Sequence, residues 1–199
     1  MALPVATLFS PQEDAFLAVQ FGQRSLSKRK ENKKLLLQEL NVDKAVMQKP
    51  LLIILLSLFQ DSAGRETLSN LLVGLQSLDL TVVVLAPKAA CSETLLAHYY
   101  QLDVTEKKLH QALAAGDIVL LPSVADQKLS KACLEYGIVP VVSAEQSMMI
   151  DYDPTLESGN AFTYRDLSPW SMFAAIVRAL ETFKLPYDWQ RIQRNGMKK

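Results

Sequence analysis

Apolar and polar residues fall in alternating blocks along this chain, and the blocks set the expected fold. Leu51 to Leu56 ("LLIILL") is continuously apolar, as a strand covered on both faces requires. "LTVVVLA" (80–86), "DIVLLPS" (117–123) and "IVPVVS" (138–143) read the same way. Pro122 ends the third of these strands, and Pro140 predicts that the fourth is short or irregular. "QLDV" (101–104) predicts an edge strand. The intervening blocks have a helical period. "AGRETLSNLLVGLQSL" buries Leu68, Leu71, Leu72 and Leu75, and "SETLLAHYY" predicts a short helix capped by Ser92. "TEKKLHQALAAGD" runs from an N-cap at Thr105 to a C-cap at Gly116, with Leu109, Ala112 and Leu113 inward, and "KLSKACLEYG" ends at Gly137. Ser168 at the N-cap and Pro169 at the first helical position open "SPWSMFAAIVRALETF", whose expected apolar stripe is Phe173, Ile176, Val177 and Leu180. "LPYDWQRIQRNG" gives a last helix ending near Gly196.

Alternating strands and helices imply an α/β fold, a parallel sheet with helices on both faces. Such sheets bind ligands beyond the C-terminal ends of their strands, which singles out loops 57–64, 86–92, 122–128 and 143–150. Residues 1–27 show no period and read as an irregular lead-in to a single domain spanning 1–199. No internal repeat or low-complexity linker interrupts it.

Composition narrows the function classes. Hydrophobic residues at 49% against 21% charged give a globular profile, and 21 basic residues balance 21 acidic ones. No global charge draws the chain to nucleic acid or an anionic membrane. The run 51–56 is too short to cross a bilayer, and "MALPVATLFS" has neither a basic n-region nor a long apolar core, so no secretion signal is expected. Cys91 and Cys133 lack metal-ligand spacing and read as reduced thiols of a cytoplasmic protein.

The residues offer little independent chemistry. Lys28, Arg29, Lys30, Lys33 and Lys34 crowd the start of a helix carrying Leu36, Leu37 and Leu40; they suit an anion or partner site, or a solvated helix face. His98 and His110 read as isolated, Met148 and Met149 as packing, and Trp170 and Trp189 as core. No G-x-S-x-G elbow is present. No metal or cofactor is expected.

The C-terminal third is more specific. It contains Ile150-Asp151-Tyr152-Asp153-Pro154, then Gly159-Asn160-Ala161-Phe162-Thr163-Tyr164, then Asp166-Leu167-Ser168-Pro169, then Trp189-Gln190-Arg191-Ile192-Gln193-Arg194-Asn195-Gly196-Met197. In order and spacing this block resembles the glycogen/starch synthase family, with its V-x-D-Y-D-P, G-x-G-F-x-F, D-x-S-P and W-x-x-L/I-Q-x-N-G-M stretches. Weaker likenesses run back through "EYGIVPVV", "AGDIVLLPS" and "KRKENKKLLLQELNV" to "LFSPQEDAFL". The resemblance implies a Rossmann-like fold, the nucleotide-sugar-binding C-terminal half of a two-domain GT-B enzyme. An acceptor-binding N-terminal domain and the helix that follows N-G-M in the family are expected to be missing.

That family transfers glucose from ADP- or UDP-glucose, and its leaving diphosphate needs preorganised positive charge. Its devices are S-R-L-x-x-Q-K-G, a glycine-rich T-G-G-L turn and a Glu in E-P-C-G-L. Here Ser57 and Gly64 keep their places in the first, but its two cation positions fall on Leu58 and Ala63. Arg65 is adjacent, at the start of a helix. In the sugar-holding segment Pro122 and Ser123 match, yet no glutamate follows before the helix; Asp126 reads as a stand-in carboxylate or a helix cap. "VVSAEQSMMIDYDP" contains no glycine where the T-G-G-L turn belongs, and Glu145 would repel a diphosphate. The expectation is a degenerate, non-catalytic domain, a binding or scaffolding module. Its vestigial cleft comprises Ser57, Gly64, Arg65, Ser123 and Asp126, and it has no catalytic residue. Its partner surface is the one a GT-B N-terminal domain would cover, open to another protein or to self-association. The alternatives are half of a split glucosyltransferase extending an α-1,4-glucan, or a cleft adapted to another small molecule.

Overall fold

A computed structural model describes residues 10–43, 45–87, 99–122 and 127–198. Six parallel strands form one sheet: β1 (Leu51–Leu55), β2 (Thr81–Ala86), β3 (Tyr100–Asp103), β4 (Ile118–Leu121), β5 (Val139–Ser143) and β6 (Phe162–Tyr164), in the order β3-β2-β1-β4-β5-β6. The apolar runs occupy the middle of the sheet, where every residue of β1 is buried. Because successive side chains point to opposite faces, each strand feeds two cores. Ile53, Val83, Val119 and Val142 face α1 (Arg29–Glu39), α3 (Glu106–Ala115) and α4 (Gln127–Glu135). Ile54, Val84, Leu120 and Val141 face α2 (Ser62–Leu75), α5 (Pro169–Phe183) and α6 (Pro186–Gly196).

The expected caps are in place. Thr105 accepts from the Lys108 N–H and Ser168 from the Ser171 N–H, both at 3.2 Å. Gly137 has φ +63°, the left-handed stop after α4. Gly116 caps α3 for a different reason, since its backbone is extended (φ −64°, ψ 142°). A Cβ there would come within 2.5 Å of Ile138 and Ile53, so the site needs a bare backbone, not a left-handed one.

Several expectations are corrected. Pro140 does not disturb β5, which pairs regularly with β4 from Val139 to Val142. The Val139 N–H bonds Asp117 O on the β4 side, so the missing proline N–H falls on the β6 side, where pairing starts only at Val141. Strand β6 was unmarked in the hydrophobic pattern. The core stripe of α5 is Met172, Ala175, Ile176, Ala179 and Leu180, which leaves Phe173 and Val177 half-buried. Trp189 is buried, but Trp170 is 80% exposed. Met149 is buried, whereas Met148 is 37% exposed. The basic cluster of α1 is not uniformly solvated. Lys28, Lys30 and Lys34 are exposed, while the Arg29 guanidinium is buried and donates to Leu113 O and Gly116 O at the end of α3. Lys33 pairs with Asp117 at 2.6 Å and donates to Lys49 O. The helix expected at 92–100, with its Ser92 cap, Cys91 and His98, lies largely outside the described residues.

Over the described residues 10–22 the lead-in is irregular, and it then forms a 3-10 helix, Gln23–Lys28. It is nevertheless built into the core through Leu17 and Phe21.

Candidate functional site

Of the four loops at the strand ends, those after β1 and β5 are described throughout. Ser123 and Asp126 lie outside the described residues, as does most of the loop after β2. After β1 the chain makes a 3-10 turn, Leu56–Leu58, and then enters α2. The Ser57 hydroxyl is buried, with no hydrogen-bond partner among the described residues. Leu58 packs against both cores, so the first expected cation position is now part of the packing. Asp61 is the N-cap of α2 and accepts from the Gly64 N–H at 2.6 Å. A Cβ on Gly64 would sit 2.7 Å from the Asp61 carboxylate, which gives this glycine a structural reason to be there. Ala63 and Arg65 are exposed on the first turn. The turn thus carries Ser57, Gly64 and Arg65 beyond the C-terminal end of the central strand β1. Between Leu56 and Gly64 it carries one carboxylate and no basic side chain.

The loop after β5 is a compact turn. Gln146 N–H bonds Ser143 O at 3.2 Å, and Met149 N–H bonds Gln146 O at 3.0 Å. The fully buried Ser130 hydroxyl on α4 donates to Gln146 Oε1 at 3.2 Å. This pins the turn to the helix, and Glu145 is left exposed. The turn contains no glycine, so a side chain stands at every position of its backbone.

The motifs that carry the resemblance make a scaffold elsewhere. Asp151 accepts from the Thr163 N–H at 2.7 Å and pairs with Arg178 at 2.6 Å. Tyr152 OH donates to Asp188 at 2.6 Å. Glu157 pairs with Arg191, and Asn195 donates to Glu157 O and Gly159 O. Gln193 donates to Gly137 O from a buried position. Together these bonds tie loop 150–160 to α5, α6 and the end of α4.

A buried polar cluster went unread in the sequence. Asp14 accepts from the Phe16 N–H at 2.8 Å and from Tyr136 OH, and its other contact is His110 Nδ1 at 2.7 Å. His110 is therefore neither isolated nor at the surface, being 4% exposed. Burial, and then the Asp14 carboxylate, push the Tyr136 hydroxyl far above the usual tyrosine range. Burial lowers Arg29 to about 10, opposed by Asp117. It raises the Cys133 thiol to about 12, which removes the thiolate needed for reactivity. Asp14, His110 and Tyr136 together fasten the lead-in to α3 and to the end of α4. The Pro11-x-x-Asp14 spacing in "LFSPQEDAFL" was the one sequence signal pointing to them.

A small recess between α1 and α3, lined by Ala18, Asn32, Leu36, Glu39 and Gln111, lies away from the strand ends. Among the described residues no cluster of three metal-ligating side chains occurs, and no helix is long and apolar enough to cross a membrane.

Comparison with known proteins places this architecture. No family model matches the chain. A glycogen synthase of Moorella thermoacetica is 32% identical over 207 residues, covering 95% of this chain and 41% of that protein. Glycogen synthase 1 of Synechocystis is 25% identical, covering 96% and 43%. Among solved structures, the catalytic domain of starch synthase IV from Arabidopsis thaliana, bound to ADP and acarbose, superposes with a TM-score of 0.80 at 21% identity. That match covers 96% of this chain and 43% of the other. The chain therefore spans about two fifths of the length of the curated relatives it matches. Its sheet matches the Rossmann-like C-terminal half of a GT-B glycosyltransferase.

Proposed function

Starting from a chain that is homologous to the glycogen synthases over 95% of its length and is a half domain of the C-terminal GT-B type, we propose that it is a non-catalytic relative serving as a binding or scaffolding module. The observation that carries this reading is the turn after β1. Leu58 packs half-buried against both cores and Ala63 presents only a methyl group, at the two positions where the resemblance calls for cations. One lost electrostatic donor removes about 3 kcal/mol of transition-state stabilisation. Two such losses, with a glycine-free turn after β5, leave a developing diphosphate charge opposite Asp61 and Glu145. The motifs of the C-terminal block meanwhile remain bonded to one another, which supports a fold kept apart from its chemistry.

On this reading the C-terminal edge of the sheet is a partner surface in a cytoplasmic assembly. Its occupant is a protein that contributes what a GT-B N-terminal half contributes in the relatives. A second reading is half of a split glucosyltransferase using ADP- or UDP-glucose. It is favoured by one fact, that each relative contains more than half its length beyond the matched region.

A glucosyl-transfer assay separates the two. The chain is incubated with labelled ADP-glucose or UDP-glucose and a maltooligosaccharide, alone and with any co-purifying synthase-like protein. The proposal expects no incorporation above the protein-free blank from the chain alone, and none above the co-purifying protein's own level when the two are combined. Incorporation that depends on this chain overturns it.

A further inference from the structure

The structure divides the basic cluster at the start of α1, and part of it has no task inside the fold. Arg29 is buried against the end of α3, Lys33 pairs with Asp117, and Lys34 lies 3.7 Å from Glu31. Lys28 and Lys30 are exposed and pair with no carboxylate among the described residues. The same holds for Arg24 in the preceding 3-10 helix. Lys28 is the N-cap of α1, and Lys30 lies in its first turn. Positive charge at a helix start opposes the macrodipole, so these cations cost stability and gain nothing locally.

The fold joins them to a second basic set. Gln23 Nε2 donates to Arg194 O at 3.0 Å, which seats the 3-10 helix against the last turn of α6. At Gly137, where α4 ends, a Cβ would lie 3.1 Å from both the Leu26 side chain and Met197 Sδ, so the three segments meet there. Arg194 and Lys198 are exposed on the α6 side of this junction, and among the described residues their side chains bond only the neutral Gln190 and Asn195. The macrodipole favours cations at a helix end, which accounts for this pair but not for Arg24 and Lys28. The other carboxylates on these elements are engaged: Glu135 with Lys131 at 3.9 Å, Glu39 with Lys108, and Asp188 with Tyr152. Glu13, exposed in the lead-in, makes no ion pair among the described residues. Leu26, Leu134 and Met197 are half-buried at the same junction, with Leu134 3.0 Å from the Cβ position of Gly196. The chain as a whole is neutral, so this is a local concentration of charge.

We propose that the junction at Gly137 is a docking surface for an acidic segment of a partner protein. The segment's Asp and Glu side chains meet Arg24, Lys28, Arg194 and Lys198, and its apolar side chains cover Leu26, Leu134 and Met197. Charge complementarity selects the sign of the partner, and the apolar floor selects its kind. Single-stranded nucleic acid is held by rings on which bases stack, and Tyr136, the ring beside Gly137, is fully buried. A membrane-surface site presents large apolar side chains to the lipid, whereas Leu26, Leu134 and Met197 are half-buried. Gly137 precedes β5, so the junction lies at the N-terminal end of that strand. The inference therefore stands apart from the turns after β1 and β5 and holds whether or not a nucleotide sugar binds.

Fluorescence anisotropy tests it, with the full chain titrated into a fluorescein-labelled synthetic peptide built from Glu and Leu. The expected result is saturable binding with a dissociation constant of about 100 µM or tighter, weakening as salt rises and screens the charges. The double variant Arg24→Glu/Lys28→Glu should weaken binding at least about tenfold. Its melting temperature should not fall, because a carboxylate at the start of α1 suits the macrodipole. Lys107→Glu/Arg165→Glu makes the same change in net charge at the start of α3 and just after β6, the opposite end of the strands, and should leave binding unaltered. A peptide with Ser in place of Leu should bind more weakly. Absence of binding overturns the proposal, and so does binding that Arg24→Glu/Lys28→Glu does not weaken or that the control variant weakens as much. Equal binding of the Ser peptide, or tighter binding of a duplex DNA or of phosphatidylserine vesicles, overturns the assignment to an acidic protein segment.

Discussion

Asp14 shows how much of this molecule rests on single buried side chains. It is 8% exposed and serves the Phe16 N–H, Tyr136 OH and His110 at once. Asp14→Ala removes the buried carboxylate that His110 and Tyr136 share, and the expected cost is about 3 kcal/mol in urea unfolding. A loss below about 1 kcal/mol, the range of an exposed pair, would mean that the cluster does not hold the lead-in. None of this is local in sequence. Asp14 lies 96 residues from His110 and 122 from Tyr136, so periodicity had no means of joining them, and His110 read as isolated. Leu58, Ala63 and Gly64 were legible because the whole turn is one short stretch of chain. Ionisation also acts at this scale. Burial raises Cys133 from 9.0 to about 12 and lifts Tyr136, Tyr152 and Tyr164 above their ordinary 10.0. In each case the native state keeps a proton that the unfolded chain gives up. Their stability contribution is therefore complete below pH 9 and is lost as pH rises, first through Cys133 and then through the tyrosines above pH 10. Arg29 works in the opposite sense between about 10 and 12.5, but it is one group against these four and Tyr99, which burial also raises. The unfolding free energy from urea titrations should be level from pH 7 to 9 and then fall by about 1.4 kcal/mol per pH unit for each group engaged. A flat profile through pH 10.5 would contradict this.

At the scale of elements, strands with continuous apolar runs were readable, and so were helices with side-chain caps. Strand β6 was not, because three residues with a threonine in the middle carry no usable period, and the strand is fixed from outside by Asp151 holding the Thr163 N–H. The stripe of α5 was misassigned because the helix has two, and a sequence does not say which one the sheet covers. Pro140 looked disruptive only because the start of β6 pairing is not visible locally. Loop 150–160 depends on one glycine. Gly159 has φ +99°, and a Cβ there would overlap the Asp151–Tyr152 backbone. Gly159→Ala should cost about 3 kcal/mol or more, since both the backbone angle and a rigid neighbour oppose it. The loss should appear as a lower melting temperature, with earlier proteolytic cleavage in 150–160. A variant as stable as the parent would show that the loop is not clamped as described.

For the whole molecule, the retained and the replaced residues divide by task. Those that tie the C-terminal block together, Asp151, Tyr152, Gly159, Gln193 and Asn195, are bonded as a framework. The positions where the resemblance calls for two cations and a glycine-rich turn hold Leu58, Ala63 and a glycine-free turn. A structural framework of this kind accounts for a TM-score of 0.80 to a starch synthase at only 21% identity. It also accounts for the fold being far more legible than the function: packing is written in many residues, while the proposed loss of chemistry is written in two or three. The most direct measurement is isothermal titration of the full chain with ADP-glucose and UDP-glucose at protein concentrations near 100 µM, high enough to register even dissociation constants of about 1 mM. The account predicts no saturable heat with either sugar nucleotide. Saturable binding of either one at micromolar affinity would contradict it, and would mean that Arg65 or a group supplied from elsewhere carries the charge that Leu58 and Ala63 do not.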